Sequence, residues 1–265
     1  MSVQVSTEVS EVVVNWVDGA ILVGMLVSTA ACMLLVQRYA SVPARVNCND
    51  VAGFIFAAVG AFYAVLVAFV VIVVWENTST ARATTFDEAD SLAGVYWMSR
   101  QMPLPQGAQL EGLTLSYAHA VVNTEWQEMA GHRSDPGATE LMYQIRDNAL
   151  SFNPNGDQQS AIYQNLIGHV DGLASKRRAR LNLIQDCVPP LLWVALIVGA
   201  VVTIAFTFLF GLSNTWAHLA MVLSLAGLIA LSLIAIKEMN YPFVGPNKVK
   251  STAFDVFLAR LPPPR

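Results

Sequence analysis

Long apolar runs, interrupted by one extended polar interval, set the pattern of this chain. Four stretches, about 12–36, 51–75, 188–210 and 216–236, carry almost no charge, Asp18 near one end of the first being the exception. At about 1.5 Å of rise per residue each reaches across a hydrocarbon core of about 30 Å, so each is predicted to be a transmembrane helix. Between the second and third lies a polar segment, 76–187, long enough for a small domain. Breaks at Met102-Pro103-Leu104-Pro105, Ser134-Asp135-Pro136-Gly137 and Asn153-Pro154-Asn155-Gly156 divide it into four predicted helices: Asn77 to Gln101, Gln109 to Ala130, Ala138 to Phe152 and Asp157 to Gln185. Leu110, Leu113, Tyr117, Val121, Val122 and Trp126 recur at the spacing of one buried helical face. No strand-like alternation persists.

The predicted fold class is therefore all-α: a polytopic membrane protein with four transmembrane helices and a cytosolic helical domain inserted between the second and third. Its segments are a first membrane hairpin over 1–75, the helical domain over 76–187, a second membrane hairpin over 188–236, and a tail over 237–265. Because the second span can run directly into Asn77, the domain is expected to continue the membrane helices. Pro189 and Pro190 suit the first turn of the third span, where a missing N–H has no partner anyway. In the tail, Pro242, Gly245 and Pro246 force a turn before a short helix, Ser251 to Leu261. Its apolar face has to lie on the domain, on a neighbouring subunit or on the membrane surface.

The second span has two unlike faces on a 3.6-residue period. Gly53, Ala57, Gly60, Ala61, Ala64 and Ala68 form a small-residue stripe, with Gly53 and Gly60 as candidate helix-packing positions. Phe54, Phe62 and Phe69, with Val73, form a row of bulky groups beside it. Such a helix suits the axis of a bundle, where rings form a constriction that opens by wetting and closes by dewetting. The plainer reading is that both stripes pack against neighbouring helices or lipid. Asn49, Asp50 and Glu76 bracket this span as candidate pore-mouth groups; equally, Asp50 reads as a helix N-cap and Glu76 as an ordinary interfacial acid.

Composition agrees with the pattern. The chain has 265 residues, 55% hydrophobic and 13% charged, with a mean hydropathy of +0.49, which is membrane-protein usage. Its net charge of -4 argues against a general nucleic-acid binder. Placement matters more than the sum. Arg38 and Arg45 follow the first span, whereas Arg82, Lys176, Arg177, Arg178, Arg180, Lys237, Lys248 and Lys250 flank the other side, which orients the termini and the domain toward the cytoplasm of a cell that carries the protein in its inner (plasma) membrane. The N-terminus, acidic through Glu8 and Glu11, is expected to be retained rather than cleaved, since the run after it is too long for a signal peptide.

Lys176, Arg177, Arg178 and Arg180 are candidates for holding anionic lipid headgroups, or else they simply record topology. Asp87, Glu88 and Asp90 are placed to hold a cation in a vestibule, although such a cluster is more often a solvated helix face. Cys32, Cys48 and Cys187 are far apart, and His119, His132, His169 and His218 have no ligand spacing, so neither a metal site nor a cofactor is expected. Trp126 reads as a core or interface anchor. The span interiors lack ionisable groups and the chain has no phosphate loop, nucleophile elbow or dinucleotide fingerprint, so catalysis is not expected.

A set of residues resembles a known family: Asn49 and Gly53 opening the second span, Gly60 with Tyr63 inside it, Glu88-Ala89, Tyr117 followed by Glu125-Trp126, the basic Arg177 to Leu181 stretch, and Pro242-Phe243-x-Gly245. Together they resemble the bestrophin-like family of bacterial membrane proteins over about Arg45 to Phe254. The resemblance implies a homo-oligomer, tetramer or pentamer, embedded in the lipid bilayer, with an axial pore for inorganic ions lined by the second span and continued through a helical vestibule. It also implies a hydrophobic neck, for which Phe54, Phe62 and Phe69 stand at the matching positions. Two features depart from the family. The tail offers only Glu238 and Asp255 where calcium-responsive bestrophins have an acidic cluster, and the carboxylates Asp50 and Glu76 favour cations where bestrophins conduct anions. The other function class is a membrane-anchored signalling or scaffold protein whose cytosolic helical domain binds a partner.

Overall fold

The computed structural model describes residues 16–39, 45–46, 49–185, 187–212, 214–245 and 247–262. The expected start of the first span at 12–15, the acidic N-terminus, Cys48 and Pro246 lie outside the described residues. Within the described residues the regular structure is entirely helical. The helices are α1 (Trp16–Tyr39), α2 (Asn49–Ser99), α3 (Gln106–Ala120), α4 (Trp126–Ala130), α5 (Pro136–Leu150), α6 (Asp157–Asn182), α7 (Pro190–Phe208), α8 (Thr215–Met239) and α9 (Thr252–Ala259), with a π-helical turn, Val121–Glu125, joining α3 to α4. α1, α2, α7 and α8 are long and apolar enough to cross a membrane.

Most boundaries follow from local chemistry. Asp135 caps α5 by accepting from Gly137 N at 3.2 Å and Ala138 N at 2.9 Å, with Pro136 in the first turn where it gives up no hydrogen bond. Asn214 caps α8 in the same way, accepting from Trp216 N at 3.0 Å and Ala217 N at 3.2 Å. Gly156, at φ 84°, makes the turn into α6 that a side chain would oppose. Pro190 opens α7, as its missing donor predicts. The second span runs directly on through Asn77 as one helix of 51 residues, because nothing near Glu76 and Asn77 breaks the backbone pattern.

The chain divides into two compact units. In the span unit, made of residues up to 76 and 187–240, α1 runs antiparallel to α8. The two are tied at both ends: Lys237 Nζ reaches Asp18 Oδ1 at 2.6 Å, and Gln37 Nε2 meets His218 Nδ1 at 3.3 Å. α2 lies along α7. Tyr63 rests on Gly199, whose absent Cβ would stand 2.6 Å from the ring, and Phe56 meets Phe210 edge-on at 5.7 Å. Asn240 closes the other end, accepting from Val188 N at 2.8 Å through its side chain and from Cys187 N at 3.2 Å through its carbonyl.

The second unit, 77–186 with 241–265, is built round Leu92, Tyr96, Leu110, Tyr117, Ile145 and Leu166. The tail belongs to this core: Phe243, Phe254 and Phe257 are buried in it, so the apolar face of α9 lies on this unit of its own chain. Trp126 Nε1 donates to Val249 O at 3.0 Å and fixes the connecting turn.

Candidate functional site

The part of α2 inside the span unit buries only one of its faces. Ala52, Tyr63, Val70 and Val74 turn inward, while Phe54 is 82% exposed, Phe62 80% and Phe69 65%. The small-residue stripe is open as well. A Cβ at Gly60 would meet nothing within 4 Å, and one at Gly53 only Phe210 Cε1 at 3.8 Å. Phe54, Phe62 and the Gly60 position thus stand largely clear of the rest of the chain. Phe69 differs from the other two rings: with Leu66, Val73, Val188 and Leu192 it edges a shallow apolar groove of about 140 Å³ beside the start of α7.

Asp50 and Glu76 are exposed at the two ends of this stretch. Asn49 is not free in the same sense. Its amide donates to Gly211 O at 3.1 Å and accepts from Gly211 N at 2.9 Å, and Arg45 reaches Phe208 O at 3.5 Å and Phe210 O at 3.4 Å. His218 adds a hydrogen bond to Thr207 O at 2.9 Å. Side chains thereby donate to carbonyls in and just after the last turn of α7, of which Thr207 O also accepts from Phe210 N at 3.4 Å. Both ends of the Asn49 amide are thus already engaged within the chain.

The basic run of α6 divides between surface and core. Lys176 pairs with Asp87 at 2.6 Å on the surface, and Arg178 is exposed. Arg177 and Arg180 are buried, so their guanidinium groups do not face lipid headgroups. Arg180 donates through Nε to Glu88 Oε2 at 2.6 Å, through Nη2 to Glu88 Oε1 at 2.9 Å and to Glu125 Oε2 at 2.6 Å, and lies 5.1 Å from the centre of the Trp126 ring. Arg177 Nη2 donates to Glu125 Oε1 and, at 2.9 Å, to Thr139 Oγ1. Tyr117 donates to Glu88 Oε1 at 2.7 Å. Glu88 is therefore neither a solvated acid nor a free cation ligand. Two carboxylates and two guanidiniums make a cluster that is neutral in sum, which is what allows four ionised groups to leave water together.

Burial pulls the Arg180 guanidinium toward losing its proton, but Glu88 and Glu125 outweigh this and its affinity for the proton rises. Burial, then the charge of Glu88, pushes the Tyr117 phenol well above its ordinary range. The π-helical turn makes the cluster possible. On a regular helix Met129 would stand about 120° round from Tyr117; the wider turn sets the chain back, so both are fully buried and Glu125 points at the arginines.

Glu88, Tyr117, Glu125, Trp126 and the Arg177 to Leu181 stretch, scattered over more than ninety positions of sequence, meet in this one place. A profile of the Bestrophin-like domain matches residues 23–254. The chain belongs to the bestrophin-like family. Comparisons with curated proteins and with solved structures give no match. This bestrophin-like protein is a multi-pass membrane protein: four of its helices have the length and composition to span. Among the described residues no group of three or more His, Cys, Asp or Glu is placed to hold a metal ion.

Proposed function

We propose that this bestrophin-like protein is a homo-oligomeric ion channel in which copies of α2 surround an axial pore and Phe54, Phe62 and Phe69 form its hydrophobic constriction. The observation that carries this reading is the bare, uncharged ring face of α2. A row of phenylalanines that the subunit does not cover needs either lipid or other copies of itself, and the small-residue stripe beside it permits close approach of a neighbouring helix. The cations beside the spans support a topology with the inserted unit and the termini in the cytoplasm. Asp50 and Glu76 supply carboxylates to the two mouths, which favours cations.

Purified protein reconstituted in planar bilayers under asymmetric KCl is expected to give unitary currents, and Phe62→Ala is expected to raise the basal open probability by widening the narrowest point. Absence of conductance from correctly assembled protein would favour the scaffold reading, in which the spans only anchor a partner-binding domain.

A further inference from the structure

The span unit contains a second feature that the ring face of α2 does not explain. Between α1 and α7 lies an open groove of about 290 Å³, walled by Ser28, Thr29 and Cys32 on one side and by Ala200 and Ala205 on the other, with Leu233 of α8 at its base. Ser28 on one wall and Ala200 with Ala205 on the other leave space between the longer Met25, Ile197, Ile204 and Phe208 that complete the lining. α1 cannot close it, because α1 is seated on α8: Asp18 holds Lys237 at one end, Gln37 holds His218 at the other, and between them Leu26 packs 3.9 Å from where a Cβ of Gly227 would be. The gap on the α7 side is therefore built into the unit.

The walls identify what fits. They belong to two of the four spanning helices, so the groove opens at the depth of the hydrocarbon core. They are almost wholly apolar, and Ser28 turns its hydroxyl back onto Met25 O at 3.0 Å, so water has little there to bind. A helix with its side chains is about 10–12 Å across and lies over a slot of this size without entering it. An extended acyl chain enters it. α2 contributes nothing to the lining, so an assembly built on α2 leaves this face to the bilayer.

We propose that the groove between α1 and α7 is a binding site for a single phospholipid acyl chain. Moving a chain there from bulk lipid brings no hydrophobic gain, since both surroundings are apolar. What holds the chain is dispersion contact with three helices, which an unfilled slot forfeits and a flat helix face does not offer.

Photo-labelling tests this on the full chain in vesicles of phosphatidylcholine carrying a diazirine midway along one acyl chain, with adducts mapped by peptide mass spectrometry. Adducts at Ser28, Cys32 and Ala205 are expected at several-fold the level found at Leu228 and Leu231, which are exposed on α8. Ala205→Trp adds bulk at an exposed position of the groove and is expected to bring the groove down to the α8 level, with α8 labelling unchanged; Ser28→Phe does the same from the opposite wall. Equal labelling of groove and α8 face, or labelling indifferent to both substitutions, overturns the proposal. So does efficient Cys32-to-Cys32 cross-linking between copies by a short bismaleimide in the Cys48→Ser, Cys187→Ser background without groove adducts, because a second subunit then covers this face. None of these readouts involves conduction, so the acyl-chain site and the channel reading fail separately.

Discussion

Arg180 grips Glu88 with two hydrogen bonds, Nε to Oε2 at 2.6 Å and Nη2 to Oε1 at 2.9 Å, and neither side chain exposes any surface. A bidentate pair of this kind offsets desolvation only while every charge keeps its partner. Arg180→Ala strands Glu88 and weakens the tie to Glu125, and should cost the inserted unit about 3–5 kcal/mol. Arg178→Ala, two positions away on the exposed side of the same helix, should stay within about 0.5 kcal/mol. Denaturation of the purified protein in detergent compares the two. Equal losses would show that burial of the cluster does not govern stability.

Tyr117 gives the same cluster a spectroscopic signature. Its phenol donates to Glu88 and is held neutral well above the ordinary value near 10 by burial and by that carboxylate. A raised pKa in the fold means that the contribution to stability is complete below the unfolded phenol's value of about 10 and is lost as pH climbs through the folded value. In native protein the tyrosinate absorbance gained around pH 10 should therefore be the same in wild type and Tyr117→Phe. The substitution should also lower stability at neutral pH by about 1.5–3 kcal/mol, the range for a hydrogen bond to a charged group. A tyrosinate signal that shrinks in the variant would mean that Tyr117 titrates freely.

At the far end of α7, Gly211→Ala would place a Cβ 2.5 Å from Val46 N, a backbone atom that cannot swing aside. Asn49→Asp keeps an acceptor for Gly211 N but turns a charge toward Gly211 O, where Asn49 now donates. Asn49→Asp should thus be no more stable than Asn49→Ala, each falling by about 1–2 kcal/mol. Thermal unfolding of the three variants in one detergent measures this. An Asn49→Asp protein as stable as wild type would show that the donated bond to Gly211 O contributes nothing.

The four spanning helices and the breaks between the inserted helices were legible because each rests on local chemistry: uncharged runs, the Ser134-Asp135-Pro136-Gly137 cap, the Asn155-Gly156 turn. The charge cluster was not, although a trace of it was present. Leu166, Val170, Leu173, Arg177 and Arg180 continue one buried stripe at alternating steps of four and three, with Lys176 and Arg178 off it. Read by spacing, two of the four cations belong inside; read by residue type, all four look like surface. Spacing alone cannot supply partners, and Glu88 and Glu125 are brought to Arg180 only by tertiary packing and by a π-helical turn that shifts the helix phase. The bonding of Asn49 was illegible for a related reason, since its partner Gly211 lies on another hairpin. The ring face of α2 is a different case. Its periodicity was visible, but what covers the rings is a property of the assembly and not of one chain.

That face yields the last prediction through the acids at its ends. Asp50 and Glu76 are both exposed on α2, one before Phe54 and one after Phe69, so an assembly that brings the rings to an axis brings both carboxylates to the pore mouths. Rings of fixed negative charge concentrate cations over a Debye length of about 8 Å at physiological ionic strength and lose their effect as salt screens them. Glu76→Gln should move the reversal potential under a KCl gradient away from the potassium equilibrium value, Asp50→Asn should do so at the opposite mouth, and both shifts should shrink as total salt rises. The exposed acid Asp255, in α9 outside the spans, serves as the control, and Asp255→Asn should leave the reversal potential where it was. If Glu76→Gln and Asp50→Asn behave like Asp255→Asn while conductance persists, ions cross elsewhere, and the phenylalanine face of α2 is turned to lipid.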